Sequence, residues 1–268
     1  MTNSHADASR WLPLLSDIAD IADEIALRWF GEPRLRVDDK SDGSPVSEAD
    51  RAIEAMARKR VSERHPELGV FGEEEGDTSK PGEPRLIIDP IDGTRNFVRG
   101  IPIFASLLAI EHAGVLLAGL VSAPALRARW HATHGGGAFR DGKRIHVSPV
   151  ADLSAAHLFH ADLSGRAETA PPERLQPIFR RVLRTRGFGD FYQHMLVAEG
   201  AGEIAIDPKV KPWDVAAVKI VVVEAGGRST SFAGDEGIGE STLLSTNGLL
   251  HQTVVNALAL PAAPARTR

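Results

Sequence analysis

The chain has no cysteine. Disulfides, thiolate zinc centres and cysteine nucleophiles are thereby excluded. It also has no uninterrupted apolar run approaching the roughly 18 residues that a membrane span needs. Residues 1–30 carry Asp7, Asp17, Asp20, Asp23 and Glu24 instead of an apolar core, which does not describe a signal peptide. A cytoplasmic protein is expected. A basic excess is missing too: 31 Lys and Arg stand against 36 Asp and Glu, for a net charge of −5. That balance gives no electrostatic footprint for nucleic acid or an anionic membrane. It also draws in no anionic ligand, so any anion site must be local.

What is present is a chain of 268 residues, 43% hydrophobic and 25% charged, enough for a substantial core. Trp11, Leu12, Leu15, Ile18, Ile21, Ala22, Ile25 and Trp29 recur at helical spacing and read as a core or subunit-interface stripe, ended by Gly31 and Pro33. A second helix is expected over 47–64, capped by Ser47 and closed by Pro66. Strands are expected at 68–71, 86–88, 105–111, 115–122 and 129–133, with a hairpin turn at Asp141-Gly142. Beyond about residue 150 strands and helices alternate, with helices over 172–184, 191–200, 214–225 and 249–259 and a frayed tail at 262–268. The expectation is one mixed α/β domain over 1–268, sheet-rich to about 150 and α/β from 151 to about 260, without a clear cut between the halves.

The most informative stretch is Asp89-Pro90-Ile91-Asp92-Gly93-Thr94-Arg95-Asn96-Phe97, directly after the apolar run 86–88. A strand there delivers Asp89 and Asp92 onto a loop at its carboxyl end, where ligands of α/β proteins bind. Pro90 stiffens the turn, Gly93 permits close backbone approach, and a short helix from Thr94 offers free amides to a phosphate. Paired carboxylates beside such amides suit a hard cation plus phosphate, the cation attracting the anion that the surface does not. A plain surface turn has the same composition. Two further segments bear on the choice: Phe71-Gly72-Glu73-Glu74-Glu75 after another apolar run, and Lys211-Pro212-Trp213-Asp214, where Asp214 either caps a helix or reaches a metal.

Taken together, these segments resemble the inositol monophosphatase superfamily of metal-dependent phosphatases. The resemblance rests on Gly72-Glu73-Glu74, on Asp89 to Phe97, and on Trp213-Asp214-Val215-Ala216 followed by Glu224-Ala225-Gly226-Gly227, and it spans nearly the whole chain. It implies a layered αβαβα sandwich, a homodimer and roughly two or three magnesium ions per site. One ion would be held by Glu73, Asp89 and the carbonyl of Ile91, another by Asp89, Asp92 and Asp214. Glu73 and Thr94 would orient the attacking water, Asp50 would support Thr94, and the amides of Gly93 and Thr94 would hold phosphate oxygens. Lys40 matches a lysine near the metal, in a Gly- and Asp-rich loop.

For the ester itself, Arg186-Gly187-Phe188-Gly189-Asp190-Phe191-Tyr192 resembles the histidinol-phosphate phosphatase branch of the superfamily. An acid among aromatics suits a substrate with an ammonium and an imidazole. Arg186 either contacts substrate or pairs with Asp190. Asp207 matches a carboxylate that touches substrate and serves a hydroxyl or an ammonium equally. The alternatives are an inositol-1-phosphate or broad sugar and nucleotide phosphatase and, in another class, a non-catalytic protein associated with RNA and transcription. Loss of a metal ligand would mark that last class, and none is lost. His131 and His134 read as surface strand residues, Gly135-Gly136-Gly137 as a turn, Arg95 as a solvent-facing side chain, and His194 as a packed or solvated histidine able to line the pocket.

Overall fold

The computed structural model describes residues 8–41, 43–163 and 172–259; the tail expected to fray at 262–268 lies outside them. Helix α1 (Leu12–Trp29) turns Leu15, Ile18, Ala19 and Ala22 inward on one face. Of the apolar stripe, Trp11, Leu15, Ile18 and Ala22 are core, while Leu12, Ile21, Ile25 and Trp29 are half-buried. Strands β1 (Val37–Asp39) and β2 (Pro45–Ser47) make an antiparallel hairpin where the sequence suggested a loop. Helix α2 (Glu48–Arg64) starts on a reciprocal capping box, Ser47 receiving from the Asp50 amide and Asp50 from the Ser47 amide.

The first sheet has eight strands: β3 (Gly69–Gly72), β4 (Gly76–Asp77), β5 (Arg85–Asp92), β6 (Ala105–His112), β7 (Val115–Ala123), β8 (Ala128–Thr133), β9 (Gly137–Arg140) and β10 (Lys143–Ile145). They lie in the order β10-β9-β8-β7-β6-β5-β3-β4. Between β9 and β10 both Asp141 and Gly142 have positive φ (48° and 75°), the conformation of the tight hairpin turn expected there. Alternation along β5 sends Leu86 and Ile88 towards α1 and α2, and Ile87 to the opposite face.

The second sheet has five strands: β11 (His157–His160), β12 (Arg184–Gly187), β13 (Ile204–Asp207), β14 (Arg228–Thr230) and β15 (Leu243–Thr246), in the order β12-β11-β13-β15-β14. Helices α4 (Pro172–Phe179) and α7 (His251–Ala259) cover its outer face through Leu175, Ile178, Val254 and Leu258. Between the sheets lie α5 (Asp190–Ala198) and α6 (Pro212–Glu224), completing the αβαβα sandwich. The five-residue α3 (Thr94–Val98) follows β5. The helix expected over 172–184 stops at Phe179. Pro177 removes one of its interior hydrogen bonds, and the chain then turns to add β12 at the sheet edge, parallel to β11. No helix among the described residues is long and apolar enough to cross a membrane.

Helix α6 buries Val215, Ala216, Ala217, Val218, Ile220, Val221 and Val222, so it is apolar nearly all round, as a helix between two sheets must be. Its approach to the first sheet depends on Gly119 in β7. A Cβ there would sit 2.3 Å from Ile220 Cγ2 and 3.2 Å from the Ala217 carbonyl oxygen. Ile220 is β-branched and cannot swing aside freely. Gly119→Ala should therefore cost about 1–3 kcal/mol in urea unfolding, and Ile220→Ala in the same chain should recover part of it. An unchanged unfolding midpoint for Gly119→Ala would contradict this packing.

Candidate active site

Asp89 and Asp92 are three apart, and in a regular strand they would face opposite sides. They do not, because β5 slips against β6 between them: Asp89 pairs with Leu107 but Asp92 with Ala105, so β5 carries one extra residue. Pro90, which has no N–H to give the ladder, lies in that bulge, and its carbonyl accepts Ser106 Oγ at 2.7 Å. The strand thus continues through Asp92, where a loop was expected after residue 88. Asp214 enters from α6. It occupies the third helical position and its Oδ2 accepts the Lys211 amide at 2.8 Å, so it does cap the helix. Its carboxylate also meets the other two. One oxygen from each of Asp89, Asp92 and Asp214 lies within 4.8 Å of both others.

Burial, then the charges of Glu73, Asp92 and Asp214, hold the Asp89 carboxyl well above its ordinary pKa. Burial, then Asp190 and Asp214, do the same for Asp92. Burial is also the main cause that brings Asp214 to about 7. Asp89 Oδ1 is buried without a hydrogen-bond partner. Three clustered carboxylates, one of which also carries an orphaned oxygen, fit a hard divalent cation, which would neutralise the repulsion.

Glu73 follows β3 and stands beside this trio. Its amide donates to Ile88 O at 3.3 Å, placing it next to Asp89. Phe71 packs edge-on against Trp213, centroids 5.5 Å apart, and so couples the Glu73 segment to the Asp214 segment. Lys40, from the β1–β2 hairpin, donates to Glu73 Oε1 at 2.6 Å and Glu74 Oε1 at 2.7 Å. Burial opposes the lysine charge, yet these two carboxylates hold its pKa above the usual lysine value.

Thr94 Oγ1 lies 2.9 Å from the Ile91 carbonyl and 3.3 Å from Asp50 Oδ1, sharing its proton between them. Asp50 is buried and takes hydrogen bonds from Ser47 N and Oγ. Burial outweighs them and brings its pKa to about 6. Gly93, left-handed at φ 82°, caps α3. A Cβ there would approach the Ile103 carbonyl to 2.9 Å and Asp190 Oδ2 to 3.3 Å, so glycine keeps room for both.

Asp190 itself has φ 50° at the start of α5. Asn96 Nδ2 donates to its Oδ2 at 2.8 Å, and the next amide, of Phe191, donates to Asp92 Oδ2 at 2.6 Å. Burial lifts the Asp190 pKa to about 6. A cleft of about 70 Å³ is lined by Asp92, Asp190, His194, Asp207, Lys209 and Asp214. Asp207 ends β13 and is raised well above its ordinary value, chiefly by burial. His194 is buried, contacts Ser245 Oγ through Nδ1 at 2.9 Å and is pushed down to about 3, hence neutral. Arg186 is not part of this cleft. It lies on β12, donates to the Thr185 carbonyl, and lines a separate hollow with Phe188 and Tyr192; among the described residues no ion pair joins it to Asp190. Arg95 is exposed, as expected, and ties α3 to the Gly43 carbonyl at 2.8 Å.

Three residues with clear roles escape the sequence reading. Asn96 lies inside the central motif, but only the fold reveals its hold on Asp190. Glu224 accepts the amides of Gly135 and Gly137 at 2.7 and 2.9 Å, fixing the turn that those glycines announce. Glu54 is wholly buried on α2; its one sequence signal is Arg58, four residues on. His134 is exposed, while His131 is half-buried and stacks on Phe139 at 5.3 Å.

The electrostatics carry a sign that can be checked. A carboxyl whose folded pKa is raised burdens the fold in full above that pKa, near 7 for Asp214 and near 6 for Asp190, and the burden eases as pH falls below it until it is gone under the ordinary carboxyl value. A bound cation removes that burden. Adding a divalent cation to chelator-treated protein should raise the thermal midpoint by on the order of 5 °C at about pH 8, and by clearly less near pH 5.5. Equal gains at both would argue against the acidic trio as the binding site.

The model of the inositol monophosphatase family matches residues 7–265. A histidinol-phosphatase of Mycobacterium tuberculosis is 47% identical over 260 residues, 95% of this chain and 98% of that protein. One of Streptomyces coelicolor is 40% identical, over 92% of this chain and 96% of its own length. Among solved structures, an inositol monophosphatase of Thermotoga maritima superposes with a TM-score of 0.81 at 31% identity, covering 90% of this chain and 94% of that one. The chain belongs to the inositol monophosphatase family.

Proposed function

We propose that this phosphoric monoester hydrolase acts on histidinol phosphate and uses magnesium held by Asp89, Asp92 and Asp214, with Glu73 and the Ile91 carbonyl completing the metal shell. The observation that carries the substrate is the pair of half-buried acids, Asp190 and Asp207, in a cleft that opens beside the trio and is also lined by the neutral His194. Two carboxylates outside the metal cluster suit an ammonium on the substrate, and a neutral imidazole wall suits the substrate's own ring. The histidinol-phosphatases at 47% and 40% identity support the same choice.

When bound, magnesium lowers the pKa of a coordinated water and neutralises charge growing on the phosphoryl oxygens. The chain's own part is orientation. The amides of Gly93 and Thr94, at the mouth of α3, take phosphate oxygens. Glu73 accepts a hydrogen bond from the attacking water and draws its proton, while the Thr94 hydroxyl, fixed by Asp50 and Ile91, aligns that water. The water oxygen bonds to phosphorus as the bond to the histidinol oxygen breaks, and that oxygen takes a proton from solvent. Asp190, braced by Asn96, and Asp207 hold the ammonium end.

Phosphate release from histidinol phosphate and from inositol 1-phosphate, measured side by side with magnesium and with a chelator, tests this. Magnesium-dependent release favouring histidinol phosphate is expected; preference for the inositol ester would overturn the substrate. Asp190→Asn keeps the shape and removes the charge. It should lower kcat/KM for histidinol phosphate about 10–100-fold, the worth of a charge-assisted hydrogen bond, and spare an unselective aryl phosphate. A similar loss on both esters would remove Asp190 from recognition.

A further inference from the structure

Glu54 is fully buried in α2 and takes no part in the chemistry above. Its carboxylate is nonetheless wrapped around the segment that carries Glu73. Oε2 accepts the amide of Glu74 at 2.8 Å, and Oε1 accepts that of Glu75 at 2.9 Å. On the other side of Glu73, Gly72 lies against the same carboxylate: a Cβ at Gly72 would fall 2.2 Å from Glu54 Oε1. Glu54 thus grips the backbone on both flanks of Glu73. Arg58 secures the grip, donating from Nε and Nη2 to Oε1 at 3.0 and 2.7 Å, and from Nη2 to the Gly76 carbonyl at 2.6 Å.

A buried carboxylate is costly unless paired and hydrogen-bonded. A helix needing only an i,i+4 ion pair would carry it on the surface. Here every observed partner of the carboxylate is Arg58 or the turn after Glu73. We propose that Glu54 is a positioning residue, clamping the turn so that the Glu73 carboxylate stays beside Asp89 and ready for the cation. Gly72 belongs to the same device, because only glycine lets β3 run this close to Glu54. The proposal rests on the reading of Glu73 as a metal ligand, and it adds a residue from α2 that fixes that ligand's backbone.

The test is the magnesium affinity of Glu54→Gln, titrated calorimetrically with magnesium chloride on the full chain, beside its thermal midpoint in chelator. The amide presents N–H to Glu74, or to Arg58 and Glu75, whichever way it turns, so one backbone contact is lost while volume is kept. Magnesium binding should weaken 10–100-fold, the range for groups that orient metal ligands. The same substitution in a Glu73→Gln background should weaken it no further, because the ligand it positions is already gone. If Glu54→Gln does not fold, Gly72→Ala, which displaces the Glu54 carboxylate from the other side, should weaken binding in the same way. A lowered midpoint with unchanged magnesium affinity, or an equal loss with and without Glu73, overturns the proposal. Failure of the unaltered protein to bind magnesium would instead overturn the underlying reading of the metal site.

Discussion

The structure depends on one arrangement that is unfavourable by itself: three carboxylates, the buried Asp89 and Asp92 and the half-buried Asp214, brought to one point. Like charges at low dielectric repel strongly, so the side chains cannot be left to find each other. They are placed by backbone. The bulge at Pro90 turns Asp89 and Asp92 to one side of β5, and the first turn of α6 brings in Asp214. Each device lies in a regular element packed into the core, where stiffness can resist the repulsion. Such a site is ill-suited to the empty state and well suited to a cation, the usual trade between stability and activity at catalytic centres.

The same logic accounts for the contacts that join the first sheet and α3 to the helices between the sheets. The amide of Phe191, in α5, ends on Asp92, and Asn96 of α3 ends on Asp190. These two hydrogen bonds interlock the strand that carries the acids with the helix that roofs the cleft. Phe71 of β3 against Trp213 of α6 joins the neighbouring strand to the other inner helix through apolar contact. Helix α6 serves both purposes: its buried body fills the space between the sheets, closely enough to require Gly119, and its first turn supplies Asp214. Packing and site are thus coupled through one helix, whose shift would disturb both.

Much of this was legible in the sequence, for identifiable reasons. Asp89, Asp92 and Asp214 sit in short motifs whose residue types are dictated by local geometry, and the layered fold follows from where those motifs stand among periodic segments. Other features depend on pairing partners far away in the chain. The bulge follows from a count of β5 against β6 that Pro90 hints at but does not determine. The edge strand β12 went unread because Arg184-Thr185-Arg186-Gly187 is short and polar, and only its pairing with β11 makes it a strand. That pairing carried Arg186 away from the carboxylates and into a separate hollow. Glu54 could not be singled out, since no local pattern tells which side of α2 meets the turn after β3.

The positions of the two kinds of acid suggest how one fold can serve several esters. The cation trio, Glu73 and Thr94 are set by β3, β5, α3 and the first turn of α6, all braced against the first sheet or α2. Asp190 and Asp207 come from α5 and β13, elements of the second sheet and its inner helix layer. Under the proposed function, the phosphate end of the substrate meets the first set, and the organic end meets the second. Changing Asp207 leaves the bulge, the caps and the glycine contacts of the first set untouched, because its hydrogen bonds run to Gln193 and the Lys209 amide. Asp190 is where the two sets touch: its carboxylate faces the cleft, is held by Asn96 of the phosphate motif, and lies over Gly93. A substitution there bears on the Gly93 turn as well as on the recognition proposed for it, so it is a poor position for free variation.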